Sequence, residues 1–275
     1  GPMSANVQSL NGANKMAKKG EVATTSKKSA VATMDVNLFE QDAGLGNENV
    51  GQEDLALPFL KILSGLSDEL DNIEGAKPGM VYNTVSGELF SGKDGIKVVP
   101  CHYNSRFLQW APRGSGMKAP KAIFAPGDVM PETKRDKDTN KDMLTDSSGD
   151  YLEDTHQHFV LLVKEDKTFE AALIAMKATQ LKKSKKWNSM ISSTVIEGKS
   201  GLFTPPRFSH LYHLTTLKES NDKGNWHGWE ISKVGLLEDA GLYQAAKEFS
   251  RSIQADEVVV KHENESAVPT EASPF

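Results

Sequence analysis

Residues 177–191, Lys-Ala-Thr-Gln-Leu-Lys-Lys-Ser-Lys-Lys-Trp-Asn-Ser-Met-Ile, hold five lysines in a chain whose formal net charge is −5. No acid stands between Glu170 and Glu197. Wound at about 100° per residue, the segment puts Lys182, Lys183, Lys185 and Lys186 on one broad face, with Leu181, Ser184, Trp187 and Ile191 mostly on the other. This predicts an amphipathic helix with a cationic exterior, for which Thr179 is a suitable N-cap. Strand-forming runs flank it on both sides, so the chain has to fit one helix into the middle of a strand order. The plain alternative is a solvated lysine face on an ordinary surface helix.

The strands can be read around it. Residues 96–110, Ile-Lys-Val-Val-Pro-Cys-His-Tyr-Asn-Ser-Arg-Phe-Leu-Gln-Trp, form one long run of strand formers, with Pro100 marking an edge or a bulge. Residues 156–164 and 168–176 flank a Glu-Asp-Lys turn as a hairpin, and residues 207–218 and 226–235 form a second hairpin around Asn-Asp-Lys-Gly. Residues 238–253 have helical periodicity. Upstream, Leu-Ala-Leu-Pro-Phe-Leu-Lys-Ile-Leu (55–63) is apolar, but Pro58 speaks against a long helix, so a short buried strand or turn is expected there. Residues 79–90 carry strand formers, and Ser-Gly-Lys-Asp-Gly (91–95) is turn punctuation. From 111 to 154, Gly, Pro, Lys and Asp dominate, as in a long loop.

Residues 1–50 hold too little apolar surface to offset ordering entropy and read as a disordered arm, with Gly1-Pro2 ahead of Met3 as the scar of a removed tag. The expected organisation is therefore this arm, a folded domain over 55–253 with an insertion at 111–154, and an acidic disordered tail over 254–275. The single cysteine, Cys101, excludes an internal disulfide and a thiolate-rich metal site and fits a reducing cytoplasm. No run approaches the roughly eighteen apolar residues of a membrane span, and no signal peptide is read.

From residue 96 the element order is strand, strand, strand, helix, strand, strand. That is the order of an OB-fold, a five-stranded barrel with a helix between its third and fourth strands, here with extra N-terminal strands and a C-terminal helix. Four stretches also resemble the single-stranded DNA-binding proteins of tailed bacteriophages: Leu57-Pro-Phe-Leu-Lys-Ile-Leu63, Gly79-Met-Val-Tyr-Asn-Thr-Val-Ser-Gly-Glu88, Arg106-Phe-Leu-Gln-Trp110 and Thr179-Gln-Leu-Lys-Lys-Ser-Lys-Lys-Trp-Asn188. The resemblance implies an OB-type core, no catalysis, a role in phage DNA replication, recombination or repair, and the cytoplasm of an infected bacterium as its location. At the C-terminus, Asp256, Glu257, Glu263, Glu265 and Glu271 precede Pro274-Phe275. This is similar to the acidic Pro-Phe tail by which cellular single-stranded DNA-binding proteins dock onto replication and repair partners.

On that reading the chain binds single strands without regard to sequence. The phosphate contacts would be Lys182, Lys183, Lys185, Lys186, Arg106 and Arg113, and the base-stacking faces Tyr103, Phe107, Trp110, Tyr212, Trp226 and Trp229. Trp187 would serve either the surface or the core, and Pro274 and Phe275 would meet host or phage replication proteins; homo-oligomerisation is left open. No cofactor or metal is expected. His156 and His158 share one strand face, yet no third ligand stands at a supporting spacing, and no phosphate loop, nucleophile elbow or His-Glu-x-x-His is present. Asp136, Asp138, Asn140 and Asp142 alternate as in a calcium loop but lack its central glycine and closing glutamate. Two other classes remain as rivals. One is an interaction protein that binds host replication or transcription proteins, with DNA incidental; the other is a divergent nuclease that holds magnesium with the acids of 128–154.

Overall fold

The computed structural model describes residues 34–51 and 54–264. The strands are β1 (Leu60–Ile62), β2 (Val81–Asn83), β3 (Leu89–Phe90), β4 (Ile96–Trp110), β5 (Ala122–Phe124), β6 (Thr133–Asp136), β7 (Lys141–Leu144), β8 (Tyr151–Val163), β9 (Phe169–Lys177), β10 (Ile196–Gly198), β11 (Gly201–Phe203), β12 (His210–Asn221) and β13 (Gly224–Leu236). They form a three-stranded sheet β1-β2-β3, the separate hairpin β10-β11, and an eight-stranded sheet. The large sheet runs β13-β12-β4-β8-β7-β6, with β5 paired to β4 and β9 to β8. The expected arm over residues 1–33 lies outside the described residues; Val36–Gln41 is a short helix capped by the Asp35 side chain.

The long central strands organise two cores. Successive side chains of a strand point to opposite faces, and a strand covered on both faces reads as a continuous apolar run. Val160 and Leu162 of β8 accordingly pack with Val98, Ile174, Tyr212, Leu214 and Trp229, beneath Trp187 of the lysine helix (Leu181–Ser192). Phe159 and Leu161 pack the other way, with Val99, Cys101 and Leu173, against Leu242, Ala246, Phe249 and Ile253 of the C-terminal helix (Ala240–Gln254). That helix starts where the Asp239 carboxylate accepts the backbone N–H groups of Gly241 and Leu242. β4 carries a register shift against β8 between Pro100 and His102, at the proline that forfeits a ladder donor.

The sheet does not close, which corrects the OB-fold expectation. Closure would require β9 to pair with β13, and the groups at both edges are taken by other partners. On β9, the backbone N–H of Leu173 donates to Pro58 O at 2.9 Å, and Phe59 bridges to Leu173 in parallel. On β13, Trp229 presents its N–H to Gln180 Oε1 at 2.9 Å, and its carbonyl accepts from Lys183 Nζ at 2.7 Å. Side chains from the 3-10 turn Ala178–Gln180 and the head of the lysine helix thus satisfy an edge that would otherwise need a neighbouring strand. Gly228 makes room for them, since a Cβ there would stand 2.8 Å from Glu219 Oε1 and 3.0 Å from Gln180 Nε2. The architecture is a mixed β/α fold of open sheets.

Two local expectations also change. Thr179 does not cap the lysine helix: the cap position is Gln180, with no side-chain cap bond, and the Thr179 hydroxyl accepts from Gln180 Nε2 at 2.8 Å. The stretch expected as a loop over 111–154 contains β5 and the β6-β7 hairpin, and β8 begins at Tyr151.

Candidate functional site

The lysine helix sits on the sheet by its uncharged stripe. Ser184 and Trp187 are fully buried, while Lys182, Lys185 and Lys186 are exposed. Its lysines are not equivalent. Lys183 is spent internally, in an ion pair with Glu219 and in its bond to the Trp229 carbonyl. Lys185 and Lys186 enter no ion pair or hydrogen bond among the described residues. Directly after the helix, Val195 and, on the β10-β11 hairpin that follows it, Leu202 and Phe203 stand in solvent at 53, 71 and 46 % exposure. A two-stranded hairpin outside any larger sheet has little stability of its own, so these apolar groups are not shielded by the fold.

The aromatic candidates do not form one platform. Trp187, Trp110, Tyr212 and Trp229 are core residues, none more than 2 % exposed. Tyr103, Phe107 and Trp226 are half-buried, and Trp226 Nε1 donates to Glu219 Oε2 at 3.2 Å. Pairing splits the β4 candidates between faces. Tyr103 and Phe107 stand opposite His158 and Asp154, on the lysine-helix side, whereas Arg106 and Trp110 stand opposite Thr155 and Tyr151, on the other. Arg106 donates to Ser105 O at 2.7 Å, and Arg113 lies beside Tyr151. Pro274 and Phe275 lie outside the described residues.

Beneath the lysine helix the structure assembles a polar cluster that motif reading missed. Ser184 Oγ lies 2.7 Å from both His158 Nε2 and His156 Nδ1. Arg207, in the 3-10 turn Arg207–Ser209, places Nη2 3.4 Å from His158 Nδ1 and donates through the same nitrogen to Asn188 Oδ1 at 2.6 Å. Its guanidinium lies 5.5 Å from the centroid of the Tyr103 ring. Because a guanidinium can only donate, His158 Nδ1 is the acceptor and Nε2 carries the proton toward Ser184. Ser184 then donates to His156 Nδ1, which leaves His156 Nε2–H facing Asp154 Oδ1 at 3.6 Å. Donors therefore run one way from Arg207 through His158 and Ser184 to His156, whose Nε2 faces the half-buried carboxylate of Asp154.

Electrostatics agree with a neutral His158 imidazole. Burial, reinforced by Arg207 and His156, holds His158 well below the usual histidine range, and its ring stacks on Trp187 at 4.7 Å and 18°. Burial also lowers Arg207 to about 10 and raises the Tyr103 hydroxyl, whose second cause is Asp154. Ser, His and Asp in this order resemble a hydrolytic triad, but Ser184 has no exposed surface and its hydroxyl is held by two imidazoles. A nucleophile needs room for a reacting atom near 3 Å, and the buried Ser184 hydroxyl has no solvent-exposed face to offer one. Among the described residues, no group of three or more His, Cys, Asp or Glu is placed to hold a metal ion, and no helix is long and apolar enough to cross a membrane. The one sequence signal for the cluster was His-x-His on a strand; Arg207, Asn188 and Asp154 carried none.

The structure thus defines an open-sheet β/α protein with a cationic helix, of whose four lysines Lys183 is paired with Glu219, over a buried histidine–serine cluster. The chain belongs to the Pam3 phage gp34-like protein family, whose model matches residues 24–259. No curated protein and no solved structure matches it. The family assignment and the unclosed sheet together overturn the resemblance to OB-type single-stranded DNA-binding proteins. They equally leave the expected roles in DNA binding, replication and recombination without support.

Proposed function

We propose that the protein is a non-catalytic phage interaction protein that uses the lysine helix and the adjoining β10-β11 hairpin to bind an acidic segment of another protein. The observation that carries this reading is the pair Lys185 and Lys186, exposed and without ion pairs among the described residues, close in sequence to the exposed Val195 and to the hairpin residues Leu202 and Phe203. Cations beside apolar anchors suit a partner that offers carboxylates around an apolar side chain, with the charges guiding encounter and the apolar contact slowing release. The burial of Trp110, Trp187, Tyr212 and Trp229 favours a protein partner over a nucleic acid, because stacked bases need open aromatic faces.

The test uses a labelled twelve-residue peptide with four glutamates around one phenylalanine, its glutamine counterpart, and a fluorescent oligothymidylate. The glutamate peptide should bind in a salt-sensitive way, lose binding to the Lys185→Glu/Lys186→Glu protein, and bind less tightly to Leu202→Ser/Phe203→Ser. Equal binding of the glutamine peptide would remove the electrostatic basis of the reading. A clear preference for the oligonucleotide, dependent on the same two lysines, would overturn it.

A further inference from the structure

Arg207 is a largely buried cation without a counter-ion among the described residues. Among the described residues no carboxylate lies within ion-pair distance of it, and its Nε is buried with no hydrogen-bond partner. The groups it does touch are neutral: the Asn188 amide, the His158 ring and the face of Tyr103. Buried charges in folded proteins are as a rule paired, because an uncompensated one keeps its desolvation penalty. The neutral surroundings are themselves arranged to tolerate the cation, since the donor chain through Ser184 turns the bare Nδ1 of His158 toward it. Asn188 ties this position to the outer surface: it lies on the lysine helix three residues beyond Lys185, the spacing at which helical side chains are neighbours.

We propose that Arg207 is an anion-recognition site that takes one carboxylate of the acidic segment docked on the lysine helix. This rests on the function proposed above and adds to it the residue that selects a particular acidic side chain. Lys185 and Lys186 attract negative charge in general. Arg207, with a rigid fork of donors in a desolvated setting, holds a planar two-oxygen anion in one orientation. Free phosphate offers similar oxygens, and the experiment separates the two sources.

Thermal midpoints are measured at fixed ionic strength in chloride, acetate and phosphate for the wild type, Arg207→Gln and Asn188→Asp, and peptide affinity is measured for the same three proteins. Asn188→Asp puts a carboxylate where Oδ1 already accepts from Arg207 at 2.6 Å. That variant should therefore be more heat-stable and should no longer respond to added anion. Acetate should raise the wild-type midpoint above that in chloride. Both variants should bind the glutamate peptide roughly tenfold or more weakly than the wild type. A phosphate response much larger than the acetate response would assign the site to a phosphorylated ligand and overturn the carboxylate assignment. If all three proteins respond alike to acetate and bind the peptide alike, Arg207 recognises nothing, while the lysine-helix reading stands. If the peptide fails to bind any of them but acetate still stabilises only the wild type, the anion site stands and the docking reading fails. Should Arg207→Gln not fold, Asn188→Asp alone decides the outcome.

Discussion

Gln180 Oε1 accepts the backbone N–H of Trp229 at 2.9 Å, so that a side chain occupies the place a strand carbonyl would hold in a closed sheet. If this contact is what ends the sheet at β13, removing it should be felt in stability. Gln180→Ala leaves a half-buried N–H without its acceptor and should destabilise the protein by about 1–3 kcal/mol. Gln180→Glu keeps an oxygen in reach and should fall short of that loss. Urea unfolding of the two variants against the wild type measures the difference, and equal midpoints for Gln180→Ala and the wild type would remove the edge-capping role.

The lysines of the helix should separate into two classes. Lys183→Gln breaks the ion pair with Glu219 and the bond to the Trp229 carbonyl, and is expected to lower stability by about 1–3 kcal/mol. Lys185 and Lys186 enter no ion pair or hydrogen bond among the described residues, so Lys185→Gln and Lys186→Gln should each stay within about 0.5 kcal/mol of the wild type. The same urea titrations, read at high salt as well as low, test whether the ranking holds.

Ser184 should fix the tautomers of two histidines. With His158 Nδ1 accepting from Arg207, both rings carry their proton on Nε2, which imidazole nitrogen chemical shifts report directly. In Ser184→Ala the two ring nitrogens lose their shared partner in a fully buried site, and the loss should be about 1–3 kcal/mol. Finding His158 protonated on Nδ1 in the wild type would break the chain of donors at its first link.

His262 should make the protein acid-sensitive. It donates from Nε2 to Gln157 Oε1 at 2.7 Å, and Gln157 in turn donates to Asn104 Oδ1 at 2.6 Å. Burial, followed by the nearby Lys177, lowers its pKa to about 4 in the folded chain, with Glu153 opposing the shift. The unfolded chain takes up this proton near pH 6.5, so it binds more protons than the folded one as pH falls from about 6.5 to 4. Stability is therefore lost over that window, by up to about 3 kcal/mol from this residue. His262→Gln retains a donor to Gln157 without titrating, and its stability should fall less steeply between pH 6.5 and 4. Parallel curves for variant and wild type would place the acid sensitivity elsewhere.

Local pattern was enough to find the long elements, though not the short strands β5, β6, β7, β10 and β11. The run of strand formers over 96–110 matches β4 at both ends, the two hairpins pair as the turn residues indicated, and the 3.6-residue period turned Ser184 and Trp187 inward. Periodicity reports which side of an element is apolar, and that much is written within each segment. It holds no information on which edge meets which. β9 and β13 stay apart because Pro58 and Phe59, more than a hundred residues upstream, take one edge, while Gln180 and Lys183 take the other.

The site divides along the same line. The sequence by itself determined that a lysine-rich helix would present charge outward and that His156 and His158 would share a strand face. Only the tertiary structure decided that Glu219 neutralises Lys183 while Lys185 and Lys186 stay unpaired among the described residues. It alone brought Ser184, from a helix 26 and 28 residues further along the chain, between the two imidazoles, with Arg207 closing on them from beyond the next hairpin. Charge and hydrogen-bond partners are assigned by competition among groups that meet in space, and a residue's place in the chain records its own chemistry but not its competitors.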